Sequence, residues 1–173
     1  MDLQPVLKGE LLDLRPLRPE DFDGLYAVAR GPLIWEQHPA TDRYKREVFL
    51  ELFSQSLDSG GALVAIEAGN GQIIGASRFH GYNENESEVE IGWTFLARAY
   101  WGGRHNREMK RLMLRHAFLF VNNVVFLVGP DNIRSQKAVE KIGGLQVGVR
   151  PNANGLRSVV YRITAEQDPA SPA

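Results

Sequence analysis

The hydrophobic pattern of this chain switches between a period of two and a period near 3.6. The order of the switches predicts β-α-α-β-β-β-α-β-α-β-β. Leu11 to Leu17 reads as a first strand, with Pro16 favouring an edge or a strand end. Arg18-Pro19-Glu20-Asp21 opens a helix, because proline suits a first turn and acids suit its positive end. Phe22, Leu25, Tyr26 and Ala29 give that helix an apolar side. A loop with Gly31-Pro32 and His38-Pro39 follows. Thr41 or Asp42 then caps a second helix carrying Tyr44, Val48, Leu52 and Phe53 on one side, and Ser59-Gly60-Gly61 ends it.

Three strands come next. Ala62 to Glu67 leads through Asn70-Gly71, a strong hairpin signal, into Gln72 to His80, and a turn at residues 81–86 leads into Ser87 to Leu96. A helix to about Val121 follows, with Met109, Leu112, Met113 and Phe120 as its core face. A strand at Val124 to Val128 precedes a helix at Asn132 to Ile142, which Gly143-Gly144 stops. Strands near Leu145 to Val149 and Val159 to Ile163 finish the pattern. The expected class is α/β (α+β), with a mixed, mainly antiparallel sheet of about seven strands flanked by about four helices. One domain is expected over residues 1–165, with a flexible tail at 166–173.

Ala99-Tyr100-Trp101-Gly102-Gly103-Arg104-His105-Asn106 joins the Ser87–Leu96 strand to the following helix. Glycines let the backbone come close to a ligand, and the first amides of a helix point at an anion. Arg98, Arg104, Arg107, Lys110, Arg111 and Arg115 surround the turn, with Glu108 as the only acid from 98 to 115. Two readings stand on these residues alone: a phosphate site, or an ordinary strand-to-helix turn before a solvated basic helix. His105 and His116 are placed on the surface of that helix.

Bulk properties narrow the classes. A chain of 173 residues with net charge −1 and 43% hydrophobic residues fits a globular domain with a sizeable core. The near-neutral charge gives no global pull toward nucleic acid. Without cysteine there is no disulfide, no Cys-rich zinc site and no thioester on an enzyme cysteine. The four histidines are scattered without ligand spacing, so no metal is expected. No signal peptide and no membrane segment is read, and a cytoplasmic location is expected.

Three motifs on these elements resemble the GNAT superfamily of N-acetyltransferases, over about Gly9 to Thr164. They are Glu90-Ile91-Gly92-Trp93-Thr94-Phe95-Leu96, then Trp101-Gly102 with Arg107-Glu108-Met109, then Asn132-Ile133-Arg134-Ser135 followed by Glu140-Lys141-Ile142-Gly143. The branch that acetylates ribosomal-protein N-termini, RimJ/RimL-like, is the most similar. The resemblance implies transfer of an acetyl group from acetyl-coenzyme A to a primary amine, directly within a ternary complex. Amides from Gly102 through Gly103, Arg104 and His105 to Asn106 would hold the pyrophosphate. Trp101 takes the first place of the motif, and the strand at Thr94, Phe95 and Leu96 would pair with the amide-bearing pantetheine arm. The family pattern Gln/Arg-x-x-Gly-x-Gly/Ala has Arg104 at its middle glycine and Asn106 at its last place here. Arg104 either contacts phosphate or crowds the turn.

Amine acetylation needs a base for the amine and a proton for the departing thiolate. Glu90 is the expected base, acting through water. Its alternative is a solvent-exposed pair with Glu88, which shares its strand face. The resemblance places Ser135 at the thiolate, because the family's usual Tyr position is Val139 here; the alternative is a plain helix-start hydroxyl. Asn132 caps that helix, contacts coenzyme, or does both. Trp35, Arg78 and His80 are expected along the substrate groove. The other reading of the whole chain is a catalytically weak acyl-coenzyme A sensor, which Arg104 and Val139 favour. The acceptor amine stays open, as does the choice between monomer and homodimer.

Overall fold

The computed structural model describes residues 1–167. Its elements are β1 (Leu7–Lys8), β2 (Leu12–Pro16), α1 (Phe22–Ala29), α2 (Arg46–Asp58), β3 (Ala62–Glu67), β4 (Ile73–Asn83), β5 (Glu88–Leu96), α3 (Arg104–Ala117), β6 (Asn123–Val128), α4 (Ile133–Glu140), β7 (Leu145–Pro151) and β8 (Arg157–Thr164). One sheet runs β1-β2-β3-β4-β5-β6-β8-β7, and among the described residues only the β5–β6 pair is parallel. The expected mixed, mainly antiparallel architecture with four α-helices is therefore present. The eighth strand is β1, whose two residues face Leu14 and Asp13 and are too short to show an alternation in sequence.

Apolar clusters cover both faces of the sheet. Met109, Met113 and Ala117 of α3 pack with Leu12, Leu14, Phe79, Val89, Ile91 and Phe126 on one side. Leu25 and Ala29 of α1 and Phe49, Leu52 and Phe53 of α2 pack with Val64 and Ala76 on the other. Strand alternation produces this division, since neighbouring residues point to opposite faces.

Several boundaries differ from expectation. A 3-10 turn at Pro19–Asp21 precedes α1, and α2 starts only at Arg46, without a side-chain cap. Thr41 to Tyr44 form a turn instead, closed by the Lys45 N–H on the Asp42 carbonyl at 2.9 Å. α3 stops at Ala117, leaving Phe120 45% exposed rather than in the core. His116 is half-buried rather than on the surface: it contacts the Asp2 carbonyl at 2.7 Å and packs 5.8 Å from the Phe79 ring. Glu166 and Gln167, expected in the tail, belong to a 3-10 turn whose Gln167 side chain accepts the Thr164 N–H at 3.0 Å. The rest of that tail lies outside the described residues. No helix among the described residues is long and apolar enough to cross a membrane.

Candidate active site

The site begins where β5 and β6 part. They pair only at Glu88↔Asn123, Val89↔Val124 and Glu90↔Val125, although both strands continue to Leu96 and Val128. On its other edge β5 carries a bulge, because Ala76 faces Phe95 while Arg78 already faces Gly92. Trp93 lies in this bulge at φ +51°, a left-handed conformation that strains a bulky residue. A bulge strengthens local twist and bends its strand. Here it turns β5 away from β6. The result is a cavity of about 320 Å3 between the splayed strands, the α1–α2 loop and the starts of α3 and α4.

The turn before α3 forms one end of this cavity. Gly102 sits at φ +65°, the conformation glycine adopts cheaply, and Gly103 at φ −94° precedes the first helical residue. Arg104, at the family's glycine position, needs no left-handed conformation: the demand falls on Gly102. No side chain caps α3, and no acid lies in its first turn, so its leading amides remain available to an anion. α4 is the counter-example. The Asn132 side chain accepts the Ser135 N–H at 3.2 Å and closes that helix end.

The structure gathers most of the expected residues. Glu90, Thr94, Phe95, Leu96, Trp101, Gly102, Asn106, Asn132, Ser135 and Trp35 line the cavity. Gly103, Arg104 and His105 do not, and Arg104 is exposed. His105 packs on Tyr100 at 4.6 Å between ring centres, with a buried Nε2 that has no partner among the described residues. Arg78 and His80 are also off the cavity wall. Arg78 lies behind Trp93, 4.3 Å from its ring, and His80 packs on the same ring at 5.1 Å. Both side chains share the β4 face with α1 and α2, where Trp93 screens them.

Glu88 and Glu90 are not an exposed pair. Glu88 is buried and held by Arg150 at 3.1 Å and Arg162 at 3.6 Å. Glu90 has no ion-pair partner within 4 Å among the described residues and is half-buried in the cavity wall. Burial pushes its carboxyl up to about 7, against the pull of Arg150 and Arg78 and with a further push from Glu88. A carboxyl poised there exchanges protons near neutrality.

The sequence marks Lys110 only as one of several basic residues. In the structure it is buried, lines the cavity, donates to the Thr94 hydroxyl and lies 5.3 Å from the Phe126 ring centre. Burial alone brings its amine down to about 7. Asn106 and Lys110 stand four residues apart, so helical spacing carries the signal that they share a side. Arg134 ties the α1–α2 loop to α4: it donates to the Ile34 carbonyl at 3.1 Å and to Glu36 at 3.2 Å, and stacks 4.0 Å over Trp101. Glu108, the lone acid in the basic stretch, accepts the N–H groups of Glu10, Leu11 and Leu12 at 3.0, 2.7 and 3.1 Å. It anchors α3 to the first hairpin. Among the described residues, no group of three or more His, Asp or Glu side chains is arranged to hold a metal ion.

Comparison with known proteins agrees with this geometry. An acetyltransferase from Agrobacterium tumefaciens superposes with a TM-score of 0.71 at 25% identity, over 92% of this chain and 94% of that one. A GCN5-related N-acetyltransferase from Brucella melitensis gives 0.84 at 16%, over 96% and 81%. RimJ of Mycobacterium smegmatis, solved with CoA-disulfide, gives 0.71 at 18%, over 96% and 89%. No curated protein matches by sequence. The family model described as "Acetyltransferase (GNAT) domain" matches residues 12–144, from β2 through α4 and the turn that ends it, so the chain belongs to the GNAT acetyltransferase family.

Proposed function

We propose that this protein transfers an acetyl group from acetyl-coenzyme A to a primary amine, with both substrates bound together. The observation that carries the reading is a half-buried carboxyl, Glu90, at the point where two parallel strands separate above an uncapped helix start. The residues present fit the coenzyme. Gly102 bends the chain, α3 offers unpaired amides, and β5 past Glu90 has an edge without a strand partner among the described residues. An edge of this kind pairs with an amide-bearing arm as it would with another strand. Acetyl-coenzyme A supplies the activated thioester.

Glu90 takes the proton from the amine, through water, once its own carboxyl is ionised. Its pKa near 7 lets it take up and give back a proton close to neutral pH. Ser135 lines the cavity with its N–H committed to Asn132, leaving its hydroxyl to serve the departing thiolate. Lys110 adds a hydrogen-bond donor on the α3 side of the same space.

Two measurements test the reading. Calorimetry with acetyl-coenzyme A should show one site per chain. Thiol release in the presence of an amine panel should then show turnover. Binding without turnover on any amine would favour the sensor reading, and no binding would defeat both.

A further inference from the structure

We propose that the acceptor amine carries a carboxylate, and that Arg43 together with His38 receives it in the cavity. This rests on the transfer reading above and names the class of its acceptor.

Four charged side chains line the cavity: Arg43, Glu90, Lys110 and Arg134. Arg134 has its counter-charge in Glu36 at 3.2 Å, and Lys110 donates to Thr94. Arg43 has no carboxylate within 4 Å among the described residues. Its neighbour Asp42 is exposed and forms no ion pair with it. Yet Arg43 is not loose. Its guanidinium lies 5.5 Å from the centre of the buried Trp35 ring.

Nη1 of Arg43 lies 3.0 Å from Nε2 of His38. The Ala40 N–H already approaches Nδ1 of the same ring at 2.9 Å. A neutral imidazole has one acceptor nitrogen, so it cannot accept from both. With Nδ1 taken by the backbone, Nε2 carries the proton and confronts the guanidinium as a second donor. Two donors then converge at the cavity wall with no acceptor between them. A carboxylate accepts from both and removes the conflict.

The surrounding charge points the same way. Burial and the Arg78 guanidinium lower the Arg43 pKa to about 10 against a smaller pull from Asp42, and burial and Arg43 hold His38 neutral at about 4. Arg78 has a buried Nε without a partner among the described residues and donates to the Ser56 hydroxyl at 2.5 Å. An acceptor bearing a second ammonium would add a like charge to this corner at high cost. An acceptor bearing a carboxylate relieves the repulsion and leaves its amine for Glu90.

The test uses ω-amino carboxylates of two to four intervening carbons, their primary amides, and diamines of the same lengths. Thiol release at saturating acetyl-coenzyme A should give kcat/KM about tenfold higher for the carboxylates than for the amides, with diamines lowest. Calorimetry with the N-acetylated carboxylates should show binding that weakens about tenfold in Arg43→Gln and is partly restored in Arg43→Lys. Melting curves of both variants confirm folding. Equal use of carboxylates, amides and diamines by the wild type overturns the acceptor class while leaving acetyl transfer standing. A carboxylate preference that survives in Arg43→Gln overturns the role of Arg43. No thiol release with any amine overturns the transfer reading itself.

Discussion

At the α3 end of the cavity, backbone forms the wall: Gly102 at φ +65°, helix amides without a cap and the free edge of β5. At the α1–α2 loop end the wall is side chains: Trp35, His38 and Arg43, brought together by a turn and a ring stack. The first end suits a ligand of constant shape, because backbone geometry changes little with sequence. The second can be re-specified by a few substitutions. The two ends should therefore respond to mutation independently, with Glu90 between them answering to both.

Glu90→Gln should produce the largest effect. Turnover should fall about 100-fold or more, the usual worth of a positioned base. Acetyl-coenzyme A affinity, measured by calorimetry, should change by less than about threefold. A parallel loss of both would merge the two ends into one structural unit.

Gly102→Val should act on the α3 end alone. A β-branched residue at positive φ is strained by roughly 1–3 kcal/mol, and no neighbour lies within 4 Å to clash with a new Cβ. Coenzyme affinity should drop about tenfold with the acceptor KM little changed. Equal weakening of acceptor binding would break the separation.

Lys110→Met probes the cost of the buried amine. The folded pKa lies below the unfolded one, so this group's stabilising contribution is full above the unfolded value near 10.5 and is lost as pH falls toward 7. Removing it should raise the melting temperature near pH 7, by the few degrees that about 1 kcal/mol represents, with little change at pH 10. Coenzyme binding should weaken in the same variant. A lower melting temperature at pH 7 would mean that the contacts with Thr94 and Phe126 outweigh the desolvation.

Arg104→Gly should have the smallest effect. Arg104 is exposed and does not line the cavity. Coenzyme affinity should fall less than about threefold, and less still at high salt, as for an exposed charge near phosphate. A gain in affinity would show that the arginine obstructs the turn.

The same contrast explains what is legible in the sequence. Strand alternation, the Asn70-Gly71 hairpin and the Gly102 turn are local signals, and each appears in place. β1 escapes sequence reading because two residues carry no period. The delayed start of α2 escapes it because Thr41 and Asp42 suit a cap or a turn equally well. Arg43 and His38 meet through that turn, and sequence spacing does not reveal which side of it faces inward. Strand position puts Arg78 near the groove, but Trp93 screens it from inside a bulge, and bulges leave no clear mark on an alternating run. Lys110 is hidden by composition: among six basic residues, only its four-residue spacing from Asn106 sets apart the one that is buried.

The most direct test is the pH dependence of thiol release under saturating coenzyme. Glu90 must lose a proton to act, so kcat/KM for the acceptor should rise through a group titrating near 7. In Glu90→Gln the break near 7 should vanish from the small residual rate, which then follows the free-amine fraction of the acceptor. A wild-type rate that does not change between pH 6 and 8, or an unaltered profile in Glu90→Gln, would contradict the account.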